Sequence, residues 1–186
     1  MGVDGPTPGT NLMVLAPSLS DAKRDTCLEL QGAGPPEKLD VLRVTYSDSP
    51  TELVTEWESH YDELPGRMGI VVVGDQPGQH QADDDLPEDV FVTTANPNDI
   101  TGLGMRLNNY LNDVSEDGQL VVCFDSVTEL LQFAEIQPAF KFLHMFAGQL
   151  RDADAIGHFH LDPGAHEPQT ISRLKPLFDD AIDLTT

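Results

Sequence analysis

Hydrophobic residues enter this chain in two rhythms, short apolar runs and helical stripes, and the two alternate along its length. Residues 11–15, Asn-Leu-Met-Val-Leu, predict a short buried strand. Ser20 then caps a helix whose inner face is Ala22, Thr26, Cys27 and Leu30, stopped by Gly32, Gly34 and Pro35-Pro36. A second strand is expected over 41–46. Ser49-Pro50-Thr51-Glu52 combines a capping box with proline at the first helical position, and Leu53, Val54, Trp57 and Tyr61 extend it as an apolar stripe. Residues 68–73 are almost wholly apolar, as in a parallel strand buried on both faces.

Residues 74–89 are rich in Gln, Asp and Pro with no apolar anchor before Leu86, which predicts a mobile acidic surface loop. A short strand over 90–93 follows, then a helix over 101–114 carrying Leu103, Leu107, Tyr110, Leu111 and Val114. Residues 120–124 are the strongest strand, running into Asp125 and a second capping box, Ser126-Val127-Thr128-Glu129. Pro138 is expected to open a helix reaching about Arg151. A strand over 155–161, a short helix over 170–174 and a closing strand over 181–184 complete the pattern. Strands alternating with helices predict an α/β fold: a mostly parallel sheet covered on both faces, in three α/β/α layers. Residues 1–10 read as a flexible lead-in, and 11–186 as one domain.

Charge changes this picture most. The 186 residues hold 32 Asp plus Glu against 10 Lys plus Arg, a formal net charge of -22. An acidic interaction surface, such as a nucleic-acid mimic, is one reading of this excess. Adaptation to a salt-rich cytoplasm is the other, and the even spread of acids and the scarcity of Lys favour it. Self-repulsion on this scale opposes compaction in dilute buffer, and molar salt screens it. Without clustered Lys and Arg, nucleic acid is excluded as an expected partner. No apolar run approaches the roughly 20 residues that span a membrane, and residues 1–10 lack the regions of a signal peptide. Cys27 and Cys123, with no framework of paired cysteines, point to a reduced, cytoplasmic setting.

Four segments together resemble the RecA superfamily, and its KaiC-like branch in particular. The opening strand, loop and helix stand where a phosphate loop would be. Tyr46-Ser47-Asp48-Ser49-Pro50 looks like the turn after the second strand, and Val121-Val122-Cys123-Phe124-Asp125-Ser126 looks like a Walker B strand. His158 onward, with Leu177-Phe178-Asp179-Asp180-Ala181-Ile182-Asp183-Leu184, resembles the closing strands of that fold. With its acidic composition the chain is similar to haloarchaeal KaiC-like proteins of degenerate phosphate loop, some likened to halobacterial transducers. The resemblance implies a RecA-like fold and, through that likeness, signalling.

A phosphate loop needs Gly-x-x-x-x-Gly-Lys-Ser/Thr, so that backbone N–H groups, the lysine and a magnesium-binding hydroxyl converge on phosphate. The matching stretch here is Pro17-Ser18-Leu19-Ser20-Asp21-Ala22-Lys23-Arg24. Pro17 removes a donor, Ala22 adds a Cβ at the second glycine, Asp21 adds a carboxylate and Arg24 replaces the hydroxyl. No nucleotide site is therefore expected, and Lys23 and Asp125 are vestigial candidates. On this reading Lys23 is a solvated helix lysine and Asp125 a strand-end acid bonded to the adjoining turn. The resemblance would give Asp125 a magnesium role and make Asp48 the one remaining candidate for a general base.

His158 and His160 alternate on a strand and so share a face, with Asp162 and His166 following in a loop able to fold back. His158, His160 and His166 are the candidate metal ligands, for zinc or iron, against an expectation of no metal and polar residues at the strand mouths. Cys27 has no histidine near it in sequence to act as a base, so a nucleophile is not expected there. His144 reads as a packing residue and Gly102-x-Gly104 as close packing at a helix start.

The leading expectation is a non-catalytic regulatory or scaffold module without a cofactor, acting on a protein partner or by self-association. The alternatives are a nucleotide-binding protein or ATPase with an unorthodox loop, using ATP with magnesium, and a metal-dependent enzyme using the histidine face.

Overall fold

The computed structural model describes residues 6–74, 86–114 and 117–185. Seven strands form one sheet: β1 (Asn11–Leu15), β2 (Leu39–Thr45), β3 (Arg67–Val73), β4 (Val90–Ala95), β5 (Gln119–Asp125), β6 (Ile156–Leu161) and β7 (Asp180–Asp183). Six α-helices connect them among the described residues: α1 (Asp21–Gln31), α2 (Pro50–His60), α3 (Ile100–Asn112), α4 (Val127–Phe133), α5 (Ile136–Asp152) and α6 (Pro168–Leu174). The strand order is β4-β3-β2-β5-β6-β1-β7, and every pairing is parallel. This is the three-layer α/β arrangement expected, with a wholly rather than mostly parallel sheet.

Side-chain alternation along each strand divides the interior into two cores. One face of the sheet turns Leu42, Val44, Val122, Phe124 and Phe159 toward Leu103 and Leu107 of α3 and Phe142, Leu143 and Phe146 of α5. Phe124 anchors this side, its ring centroid 5.6 Å from Phe159 and 6.0 Å from Phe142. On the other face Val41, Val121, Met68, Ile70 and Val72 pack against Leu53, Val54 and Trp57 of α2. That second core stops short of α1, and between α1 and the sheet lie buried polar residues, among them Gln31, Arg43, His158 and His160.

Local signals act as expected at the helix starts. Ser49 and Glu52 form the reciprocal capping box of α2, and the Ser126 hydroxyl accepts from the Glu129 N–H at the head of α4. Pro138 does not open α5: that helix begins at Ile136, and the proline occupies its first turn, where a missing N–H removes no helical bond. Strand β2 begins two residues earlier than predicted and ends at Thr45, leaving Tyr46 in the following turn. The expected lead-in is tied down by position 9, where the Gly9 N–H reaches the Ala155 carbonyl at 2.8 Å. Most of the predicted 74–89 loop lies outside the described residues. No helix among the described residues is long and apolar enough to cross a membrane.

Candidate functional site

Parallel strands deliver their C-terminal ends to one edge of the sheet, and the loops leaving β1, β2 and β5 enclose a cleft there of about 160 Å³. Its first wall is the turn between β1 and α1. Ser20 caps α1 by accepting from the Lys23 N–H at 3.3 Å. Ser18 gives both its backbone N–H (3.1 Å) and its hydroxyl (3.0 Å) to one oxygen of Asp162, at the end of β6. Partial burial opposes ionisation of Asp162, but the donors from Ser18 and Gly164 hold its pKa below the usual carboxylate value. A carboxylate of the chain itself is thus bound by the loop that faces the cleft.

Across the cleft Lys23 Nζ lies 2.8 Å from Asp125 Oδ1, with the two side chains only 14% and 13% exposed. Burial alone would lower the Lys23 pKa, and the Asp125 carboxylate more than offsets it, so the ammonium is held above its ordinary value. Three further carboxylates line the same space, from Asp48, Glu56 and Glu129. Burial raises the pKa of each, and the charge of Asp125 adds to the effect at Asp48 and Glu129. The Ser47 hydroxyl donates to both Glu129 oxygens, at 2.9 and 2.8 Å, which partly relieves that residue. The cations present are Lys23, Arg24 and Arg43. Arg24 is half given up to Glu56, 3.5 Å away at the cleft rim.

Beneath the cleft floor lies the polar island between α1 and the sheet. Register assembles it: Arg43 of β2 is level with Cys123 of β5, Cys123 with His158 of β6, and His158 with Leu12 of β1. Residues level across a parallel sheet point to the same side, so this row faces α1, and His160 joins it two residues along. From above, α1 lowers Cys27 and Gln31 onto the row. Cys27 Sγ stands 3.3 Å from Cys123 Sγ and 3.3 Å from His158 Nε2, and Gln31 Nε2 donates to it at 3.2 Å. All of these residues are buried.

The Cys123 thiol, followed by Arg43 and the histidines, pulls the Cys27 pKa well below the ordinary thiol value, against the cost of burial. Burial, with Cys27 as neighbour, pushes Cys123 well above it. Burial also lowers the pKa of His158. Arg43 is buried and makes no ion pair among the described residues; its Nη1 reaches Gln31 Oε1 at 3.4 Å.

A family model matches residues 9–184, nearly the whole described chain, and its description is "Family of unknown function (DUF7504)". The chain belongs to this family. No curated protein matches it. Among solved structures it is similar to a structural-study target from Pyrococcus horikoshii OT3, at 10% identity and a TM-score of 0.63, over 97% of this chain and 84% of that one. At that identity the likeness speaks for the fold alone.

The DUF7504 chain brings together some of the residues singled out in its sequence and separates others. Lys23, Asp125 and Asp48 do meet in one cleft. Lys23 is no solvated helix lysine, because Asp125 holds it inward. His158 and His160 share a face as alternation requires, but they are 0% and 1% exposed under α1 rather than lining a strand mouth. His166 does not join them. Its Nε2 lies 3.0 Å from the Thr128 hydroxyl, beside Asp162, so the expected three-histidine set is not formed. Cys27, which has no histidine near it in sequence, has His158 against its sulfur. Sequence reasoning missed that both cysteines belong with these histidines. No local signal marked it, because the neighbouring of β5 with β6 and their register bring Cys123 level with His158.

Proposed function

We propose that this DUF7504 chain is a non-catalytic regulatory or scaffold module, derived from the frame of a KaiC-like ATPase of the RecA superfamily and acting through protein contacts. One observation carries the reading: the loop that would cradle phosphate binds the chain's own Asp162 carboxylate through Ser18. MgATP fits the remaining residues poorly. Lys23, the cation aligned with the phosphate-binding lysine, is engaged by Asp125. A polyphosphate entering this cleft meets Asp48, Glu56, Asp125 and Glu129. At about 4 Å and an effective dielectric of about 20, each like-charge pair costs on the order of 4 kcal/mol. The acidic surface fits a partner met in a salt-rich cytoplasm, and the likeness to transducer-related proteins favours signalling as the setting.

A second reading is a nucleotide-binding protein with an unorthodox loop, favoured by the meeting of Lys23, Asp125 and Asp48 at the strand ends. Calorimetry with ATP and GTP in molar KCl, with and without magnesium, separates the two. The module is expected to give no heat of binding and no phosphate release. Micromolar magnesium-dependent binding, or hydrolysis abolished by Asp125→Ala, would overturn the non-catalytic reading.

A further inference from the structure

The polar island under α1 is costly as it stands. Buried polar atoms in folded proteins are nearly always hydrogen-bonded, yet both ring nitrogens of His160 and Nδ1 of His158 have no partner among the described residues. Two sulfurs accompany these imidazoles, and one ligand atom from each of Cys27, Cys123, His158 and His160 falls within 4.8 Å of the other three. We propose that these four residues together hold one zinc ion between α1 and the sheet. The site goes beyond the regulatory reading and does not rest on it.

The chemistry and the dimensions agree. Two thiolates and two imidazoles are a donor set for tetrahedral zinc, with Zn–S near 2.3 Å and Zn–N near 2.0 to 2.1 Å. Those bond lengths put two sulfurs about 3.8 Å apart and a sulfur and a nitrogen about 3.6 Å apart around a tetrahedral ion. The observed separations are 3.3 Å for Cys27–Cys123 and 3.3 Å for Cys27–His158 Nε2. For these two pairs an outward movement of a few tenths of an ångström reaches the tetrahedral spacing, and the His160 ligand atom lies within 4.8 Å of the other three. The sulfurs are far beyond the bonded distance of about 2.0 Å, so the pair is not a disulfide.

Binding releases the two thiol protons to solvent, and Zn²⁺ with two thiolates and two neutral imidazoles forms a core of zero net charge. The sulfurs have polar neighbours outside the site: Gln31 donates to Cys27 Sγ, and Arg43 is level with Cys123 on the neighbouring strand. Four protein ligands leave no open position, so the site is structural. It pins α1, and with it the β1–α1 loop, to β5 and β6.

The test uses the full chain, purified in high KCl with reductant, stripped with a chelator and titrated with cobalt(II). One cobalt per chain is expected, with the intense visible and thiolate charge-transfer bands of a tetrahedral sulfur-ligated ion, displaced by one equivalent of zinc. The same bands are expected to vanish in Cys27→Ser and in His160→Gln. Bands that persist in both variants would place the metal elsewhere and overturn the assignment. Native mass spectrometry of the unsubstituted chain, produced with zinc supplied, needs no variant. The mass of one zinc is expected; a chain with two free thiols, or with a Cys27–Cys123 disulfide, and no zinc overturns it.

Discussion

Replacing Asp125 by alanine strands the Lys23 ammonium in a space where it is only 14% exposed. At their separation of 2.8 Å, the attraction is about 6 kcal/mol for an effective dielectric near 20 and about 1.5 kcal/mol for bulk water. Most of the larger figure is cancelled by stripping water from both ions, and exposed pairs contribute only about 0.2 to 1 kcal/mol. The small exposure of this pair places its coupling energy between those limits, at about 2 kcal/mol. A double-mutant cycle of Lys23→Met, Asp125→Ala and both together isolates that quantity. Urea, being uncharged, unfolds each variant at constant KCl of about 1 M, where the screening length is about 3 Å. Trp57, the one tryptophan and fully buried, reports unfolding by fluorescence. A coupling below about 0.5 kcal/mol at that salt would mean the lysine is solvated after all, and the account of Lys23 as held inward by Asp125 would fail.

Other consequences are open to the same assay. Withdrawing KCl is expected to lower the melting temperature steadily, since a net charge of -22 repels itself least when screened; a melt indifferent to salt refutes this. Gly69 lies in β3 where an added Cβ would meet the ring of Tyr110. Gly69→Ala is therefore expected to cost about 1 to 3 kcal/mol by displacing that ring; a neutral substitution contradicts the packing described. Asp48 has its pKa raised by burial and by Asp125, so its ionised form opposes folding. The stability linked to its protonation is present at low pH and lost as pH rises through the raised value. Asp48→Asn is accordingly expected to be more stable than the parent at pH 7, by a margin that closes as pH falls; a pH-independent margin counts against it.

How legible this was depended on the range of the forces involved. Helix starts at Ser20, Ser49 and Ser126 could be read directly, because a cap is a contact between residues three apart. Apolar runs such as 120–124 marked the buried strands, and their alternation with helices implied a layered parallel sheet. The start of α5 was misjudged at Pro138 because proline is accepted anywhere in a first turn, so its position does not fix the boundary. The cleft was half legible: the order of segments brought Lys23, Asp48 and Asp125 to one edge, but nothing local required Lys23 to turn inward.

By itself, then, the sequence determined the fold class, the capped helices, the departures of residues 17–24 from a phosphate-loop pattern and the excess of acid, all properties of composition and short-range pattern. Only the tertiary structure decided what Asp162 and the two cysteines do. Asp162 meets Ser18 across 144 positions, and Cys27 meets His158 across 131. Such partnerships are set by which strands are neighbours and by their register, here Cys123 level with His158 and α1 laid across both. Strand order and register are fixed by packing over the whole sheet, and no window along the chain carries them.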